Sequence, residues 1–148
     1  MKKLILFFGL FLATVTANAQ VEKLVGYWTS IDDKTSTEKS VFQIFKATNG
    51  KYYGKLLKLL EPGRSGAVCD KCTGADKDKP LEGMILLKDL TLDGDNLVGG
   101  TILDPENGKT YYCKVSYDAK TDRLKMKGSI DKAGILSRSQ YWVRRKGL

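Results

Sequence analysis

The chain has no histidine. The Ser-His and Cys-His relays of nucleophilic catalysis are thereby excluded, as is any imidazole ligand for a metal. Cysteine and proline are scarce, three of each in 148 residues. The first cysteine is Cys69, so no cysteine stands at the N-terminus to take a lipid. No long segment has the 3.6-residue periodicity of an amphipathic helix. The apolar run from Leu4 to Val15 is short for a membrane span. A dense basic and aromatic stripe is also missing, so nucleic acid is not an expected partner.

What is present begins with a leader. "MKKLILFFGLFLATVTANAQ" sets Lys2 and Lys3 before the apolar run and ends in Ala17-Asn18-Ala19, an A-x-A pattern. That is the layout of a signal peptide over 1–19, cleaved after Ala19, with a single domain over 20–148. The expected product is exported, periplasmic or extracellular, and not membrane-spanning after cleavage. Cysteines there meet an oxidising environment. The formal charge is +8 over the whole chain, and losing Lys2 and Lys3 leaves +6. A moderate positive charge favours anionic ligands and surfaces without specifying one.

The remainder reads as short runs punctuated by turn signals. Strands are expected at 24–31, 40–47, 51–60, 83–90, 96–103, 110–117, 123–130 and 135–145. Asn49-Gly50 marks a hairpin between the second and third. A loop over 61–80, rich in Gly, Lys and Asp, follows the third. Eight successive strands with short connections predict an all-β, up-and-down antiparallel barrel, whose closure leaves no sheet edge open. Alternation assigns the faces. Leu124, Met126 and Ile130 share one face, with Arg123, Lys125 and Lys127 opposite. That charged face must be solvated, which excludes an outer-membrane barrel. Tyr111, Cys113, Val115 and Tyr117 likewise share a face, so Cys113 is expected to point inward as a buried thiol. Trp28, Phe42, Ile44, Tyr111, Tyr117, Met126 and Trp142 are the large interior candidates. Such a barrel either is filled by them or holds one small ligand.

In the last strand Arg138, Gln140, Trp142 and Arg144 fall on one face at a spacing of two. A guanidinium facing inward needs a carboxylate partner or a bound anion. Arg138 and Gln140, with Trp142 beside them, are therefore candidate ligand-binding residues, the fork of Arg suiting a carboxylate. The competing reading pairs Arg138 with a structural acid such as Asp32 or Asp33. Asp32-Asp33 and "DPENGK" (104–109) otherwise read as a polar loop and a turn.

Cys69 and Cys72 form a CxxC in the long loop. A zinc site would need both, Cys113, and a carboxylate such as Asp70. Redox catalysis would need the motif at a helix N-terminus, and the setting is a loop in an all-β chain. A structural disulfide is the favoured reading. A Cys69–Cys72 ring is worth roughly 2 kcal/mol and a long bridge to Cys113 about 4 kcal/mol by chain entropy. Energy favours the long bridge and proximity the short one; the short one is expected. No metal and no cofactor are expected.

Gly26-Tyr27-Trp28, a G-x-W opening such a chain, resembles the start of lipocalins and fatty-acid-binding proteins. The resemblance implies that Trp28, introduced by Gly26, closes one barrel end with Arg144 packed across it. It also likens Arg138 and Gln140 to the Arg-x-Tyr pair that holds a ligand carboxylate in fatty-acid-binding proteins. "GYWTSIDDKT", "CDKCTG", "GGTILDPENGKTYYCKV" and "SRSQYWVR" together resemble the secreted bacterial family named domain of unknown function 2147. That resemblance implies a lipocalin-like barrel and export, and no activity. The expected function is a non-enzymatic, exported carrier or sensor of a small apolar or anionic ligand. The alternatives are an envelope interaction or inhibitor-like module with a packed barrel, and a CxxC thiol-redox protein.

Overall fold

The computed structural model describes residues 22–148. The expected leader and its cleavage after Ala19 lie outside them. The chain forms eight strands: β1 (Gly26–Ile31), β2 (Glu38–Lys46), β3 (Tyr52–Leu59), β4 (Ile85–Asp93), β5 (Asn96–Asp104), β6 (Lys109–Asp118), β7 (Arg123–Ser129) and β8 (Ser137–Arg145). Each pairs antiparallel with the next, and β8 pairs with β1 to close the barrel. Sequence and structure agree on the number and order of strands. Turn chemistry explains the tight connections. Gly50, Gly94 and Gly108 all sit at positive φ, where a Cβ is penalised.

Several boundaries differ from expectation: β1 and β8 start two residues later and β2 two residues earlier. β4 starts two residues later than expected and runs on past Leu90, pairing Thr91 and Leu92 with Val98 and Leu97. Asp89 takes a positive φ of 58° within it. Register with β3 slips twice, between Tyr52 and Gly54 and between Gly54 and Lys55, so adjacent Leu86 and Leu87 are both buried while Asp89 is exposed, which strict alternation could not anticipate. β7 ends at Ser129, so Ile130, expected inside, lies in the β7–β8 loop and is exposed.

The barrel is solid at one end. Gly26 adopts φ 117°, a conformation open to glycine, and swings the chain into β1. Trp28 is wholly buried there, and its Nε1 donates to the Leu24 carbonyl at 3.0 Å. The Arg144 guanidinium lies 4.3 Å from the centre of the Trp28 ring. Arg144 Nε donates to Asp122 Oδ1 at 3.0 Å and its Nη2 to the Lys23 carbonyl at 2.7 Å. Ile44, Leu90, Leu97, Val115 and Leu124 are buried with this plug in one apolar cluster. At the other end the β1–β2, β3–β4, β5–β6 and β7–β8 connections surround an opening.

Candidate functional site

β8 links the two ends. Its inward residues run from Arg138 at the mouth, through Gln140, to buried Trp142 and then Arg144 at the plug. Trp142 stacks on Phe42 of β2 with ring centres 4.2 Å apart. Its Nε1 donates to Gln140 Oε1 at 3.1 Å, while Gln140 Nε2 donates to the Ile31 carbonyl at 3.5 Å. A buried indole N–H thus finds its acceptor in a neighbouring side chain.

Above that pair the interior is open. A cavity of about 590 Å³ reaches from the mouth down to Phe42, Leu56, Met126 and Gln140. This volume suits a small organic ligand. Trp142 does not line it and serves as packing beneath its floor. Of the two alternatives for the interior, filling by large side chains applies to the plug end alone. Of those residues, Tyr111 is half-buried in the cavity wall. Tyr117 lies at the plug end, its hydroxyl donating to Asp122 at 2.9 Å.

The rim is charged. Lys39 Nζ stands 3.0 Å from Glu106, 3.8 Å from Asp32 and 3.9 Å from Glu61. Burial works against the Lys39 ammonium, but the hydrogen bond and charge of Glu106, with Glu61 and Asp32, raise its pKa above the ordinary value. The hydrogen bond and charge of Lys39 lower the Glu106 pKa, outweighing burial, with Arg64 and Arg138 adding to the effect. Asp32 is also lowered, chiefly by accepting hydrogen bonds from the backbone N–H groups of Thr35 and Lys34. Lys39 thereby ties together three of the connections around the mouth. Alternation from Phe42 would turn Lys39 outward, but register shifts at Ser30/Ile31 and Val41/Phe42 break that pattern. Sequence reasoning misses Lys39 for this reason, and takes Glu106 for a turn residue.

Arg138 lines the cavity, is exposed, and makes no ion pair within 4 Å among the described residues. It does not pair with Asp32 or Asp33. Arg64, from the β3–β4 connection, also lines the mouth and makes no ion pair among the described residues. The rim as a whole carries Asp32, Asp33, Glu61, Asp104 and Glu106 against Lys39, Arg64 and Arg138. Among the described residues no three His, Cys, Asp or Glu side chains converge as a metal site.

Cys69 and Cys72 are joined as a disulfide, with Cα atoms 5.3 Å apart. Both are buried, and the loop around them is tied by its own backbone: Cys69 N–H to the Lys79 carbonyl, and Leu81 N–H to the Ala67 carbonyl. A Cβ at Gly108 would collide with the Lys71 carbonyl, so the ring packs against the β5–β6 turn at the mouth. The loop delivers buried Leu81 to the cavity wall. Cys113 is free and buried within β6, and burial pushes its thiol up to about 12.

The family model described as "Uncharacterized protein conserved in bacteria (DUF2147)" matches residues 26–144. The chain belongs to this family. Its matched region runs from the first residue of β1 to Arg144, so the family is defined over the entire barrel, plug and mouth included. Among solved structures, the Helicobacter pylori protein HP1028, described as belonging to the lipocalin family, is similar to this DUF2147 chain with a TM-score of 0.72. The two are 23% identical over 83% of each chain, a likeness of fold. The curated proteins contain no match. This DUF2147 chain is thus a lipocalin-like, closed eight-stranded barrel.

Proposed function

We propose that this protein is an exported, non-enzymatic carrier or sensor of a small, mostly apolar molecule with one acidic group. The cavity carries this reading: about 590 Å³, apolar at its floor, with the unpaired guanidinium of Arg138 at its rim. The apolar body would rest on Phe42, Leu56 and Met126, and the acidic group would face Arg138. The surplus of carboxylates around the mouth favours a single negative charge over a multiply charged head. Gln140 contributes through its hold on Trp142 and Ile31 rather than as a free ligand group. An open cavity also favours the carrier over an interaction module with a packed interior. Burial of both half-cystines favours a staple over thiol exchange.

Titration with a fluorescent fatty acid tests the reading. Wild type binds it, and Arg138→Ala binds about tenfold more weakly, the scale of one charge-assisted hydrogen bond at a partly exposed site. Equal binding by the two proteins, or binding by neither, overturns it.

A further inference from the structure

The β7–β8 loop presents three large apolar side chains to solvent: Ile130 is 71% exposed, Ile135 81% and Leu136 65%. Single exposed apolar residues are ordinary, but three on one seven-residue turn form a patch. The turn is built to hold them there. Asp131 accepts hydrogen bonds from the backbone N–H groups of Ile135 at 2.9 Å and Leu136 at 2.7 Å. The Ile130 N–H donates to the Leu136 carbonyl at 3.1 Å, and the Gly134 N–H to the Asp131 carbonyl. The apolar groups are therefore displayed by an ordered structure. Two of them, Ile130 and Leu136, also stand on the wall of the cavity mouth.

The sheet below this tip is basic. Lys114 of β6 lies directly opposite Lys127 of β7, an arrangement that costs stability when nothing screens it. Lys125 precedes it by two residues along β7, and Lys132 sits in the tip itself. None of these four lysines makes an ion pair among the described residues; the mouth carboxylates Asp32, Glu61 and Glu106 are gathered on Lys39 instead. Lys127 joins the two features, since its Nζ would lie 3.3 Å from a Cβ at Gly134. Exposed Tyr112 and Tyr141 flank the lysines on the same outer face.

We propose that Ile130, Ile135 and Leu136 dip into the surface of an anionic lipid bilayer while Lys114, Lys125, Lys127 and Lys132 rest on its headgroups, so that the outer β6–β7 wall beside the tip, and not the carboxylate-rich mouth, lies against the membrane. Apolar area supplies one part of such binding and anionic lipid the other, and neither alone suffices on a patch this small. A polar protein partner would match the lysines and leave the three apolar side chains without a counterpart. The inference goes beyond ligand carriage and does not depend on what fills the cavity.

Cosedimentation with vesicles of equimolar phosphatidylglycerol and phosphatidylcholine, and with phosphatidylcholine alone, tests it. Every protein carries the same N-terminus, and circular dichroism verifies each fold. Wild type binds the anionic vesicles and leaves the neutral ones, and its binding weakens with added salt. Ile135→Asp with Leu136→Ser, all exposed changes, reduces that binding at least tenfold, as does Lys125→Glu with Lys127→Glu. Several results overturn the proposal. These are no binding to anionic vesicles, equal binding to both kinds, or wild-type binding by the apolar variant. Self-association in sedimentation velocity that the apolar variant abolishes also overturns it, because the tip is then a contact between copies of this chain.

Discussion

Arg144 shows how far one side chain can be read from sequence. Its spacing from Trp142 fixes its face, and the structure sets its guanidinium on the Trp28 ring. Asp122, which completes the contact, is invisible to that reading because it comes from the β6–β7 turn, twenty-two residues away. Lys39 escapes for a different reason: irregular register at the mouth defeats a period of two. Cys113 is the residue whose chemistry is most tightly constrained. With Cys69 and Cys72 paired and its own thiol pushed up to about 12, no thiolate is exposed near neutrality. The folded protein is therefore expected to take up no iodoacetamide at pH 8, and one equivalent after unfolding without reductant. Mass spectrometry counts the adducts, and one adduct on the folded protein refutes the assignment.

Among the elements, regular strands are legible in the sequence and irregular ones are not. β6 and β7 keep their alternation throughout, and every residue pairs in register from Tyr112 with Ser129 to Asp118 with Arg123. β4 loses its alternation twice, at Leu86–Leu87 and beside Asp89, and nothing in "GMILLKDL" announces that. The end of the β7–β8 loop reads as the start of a strand because Ile135 is β-branched and Leu136 extends the apolar run into β8. Asp131 overrides that propensity by binding their N–H groups, which also lowers its pKa below the ordinary 3.8. A carboxyl depressed in the fold stabilises the turn above its unfolded pKa and ceases to do so as pH falls through the folded one. The amide proton shifts of Ile135 and Leu136 should thus be constant above about pH 5 and move together at a midpoint under the ordinary Asp value. An NMR titration measures this. In Asp131→Ala the transition should vanish, and a midpoint at or above the ordinary value contradicts these hydrogen bonds as its cause.

At the scale of the whole molecule, closure is the dominant fact. β8 supplies Trp142 against Phe42, Arg144 against Trp28, and the hydrogen-bonded seam with β1 and β7. Ending the chain after Leu136 removes all three and exposes two sheet edges. Loss of a buried Trp alone costs roughly 3–5 kcal/mol, against a typical total of about 5–15 kcal/mol. The truncated chain is expected to show no cooperative unfolding transition by calorimetry, and a sharp transition near that of the full barrel contradicts it. The count and order of strands are legible because turn signals and the final aromatic-rich strand are local in the sequence. The cavity is not, since its size depends on how far side chains from several strands reach across a space that no stretch of sequence spans.

The plug at Trp28 makes this barrel a cup rather than a tube. A molecule that enters tail first must leave head first, by the same rim, and the water it displaces must pass out beside it. Nothing can be handed through to the far side. On the proposed carrier reading, whatever loads the cup and whatever empties it must therefore meet the same four connections, and cannot do so at once.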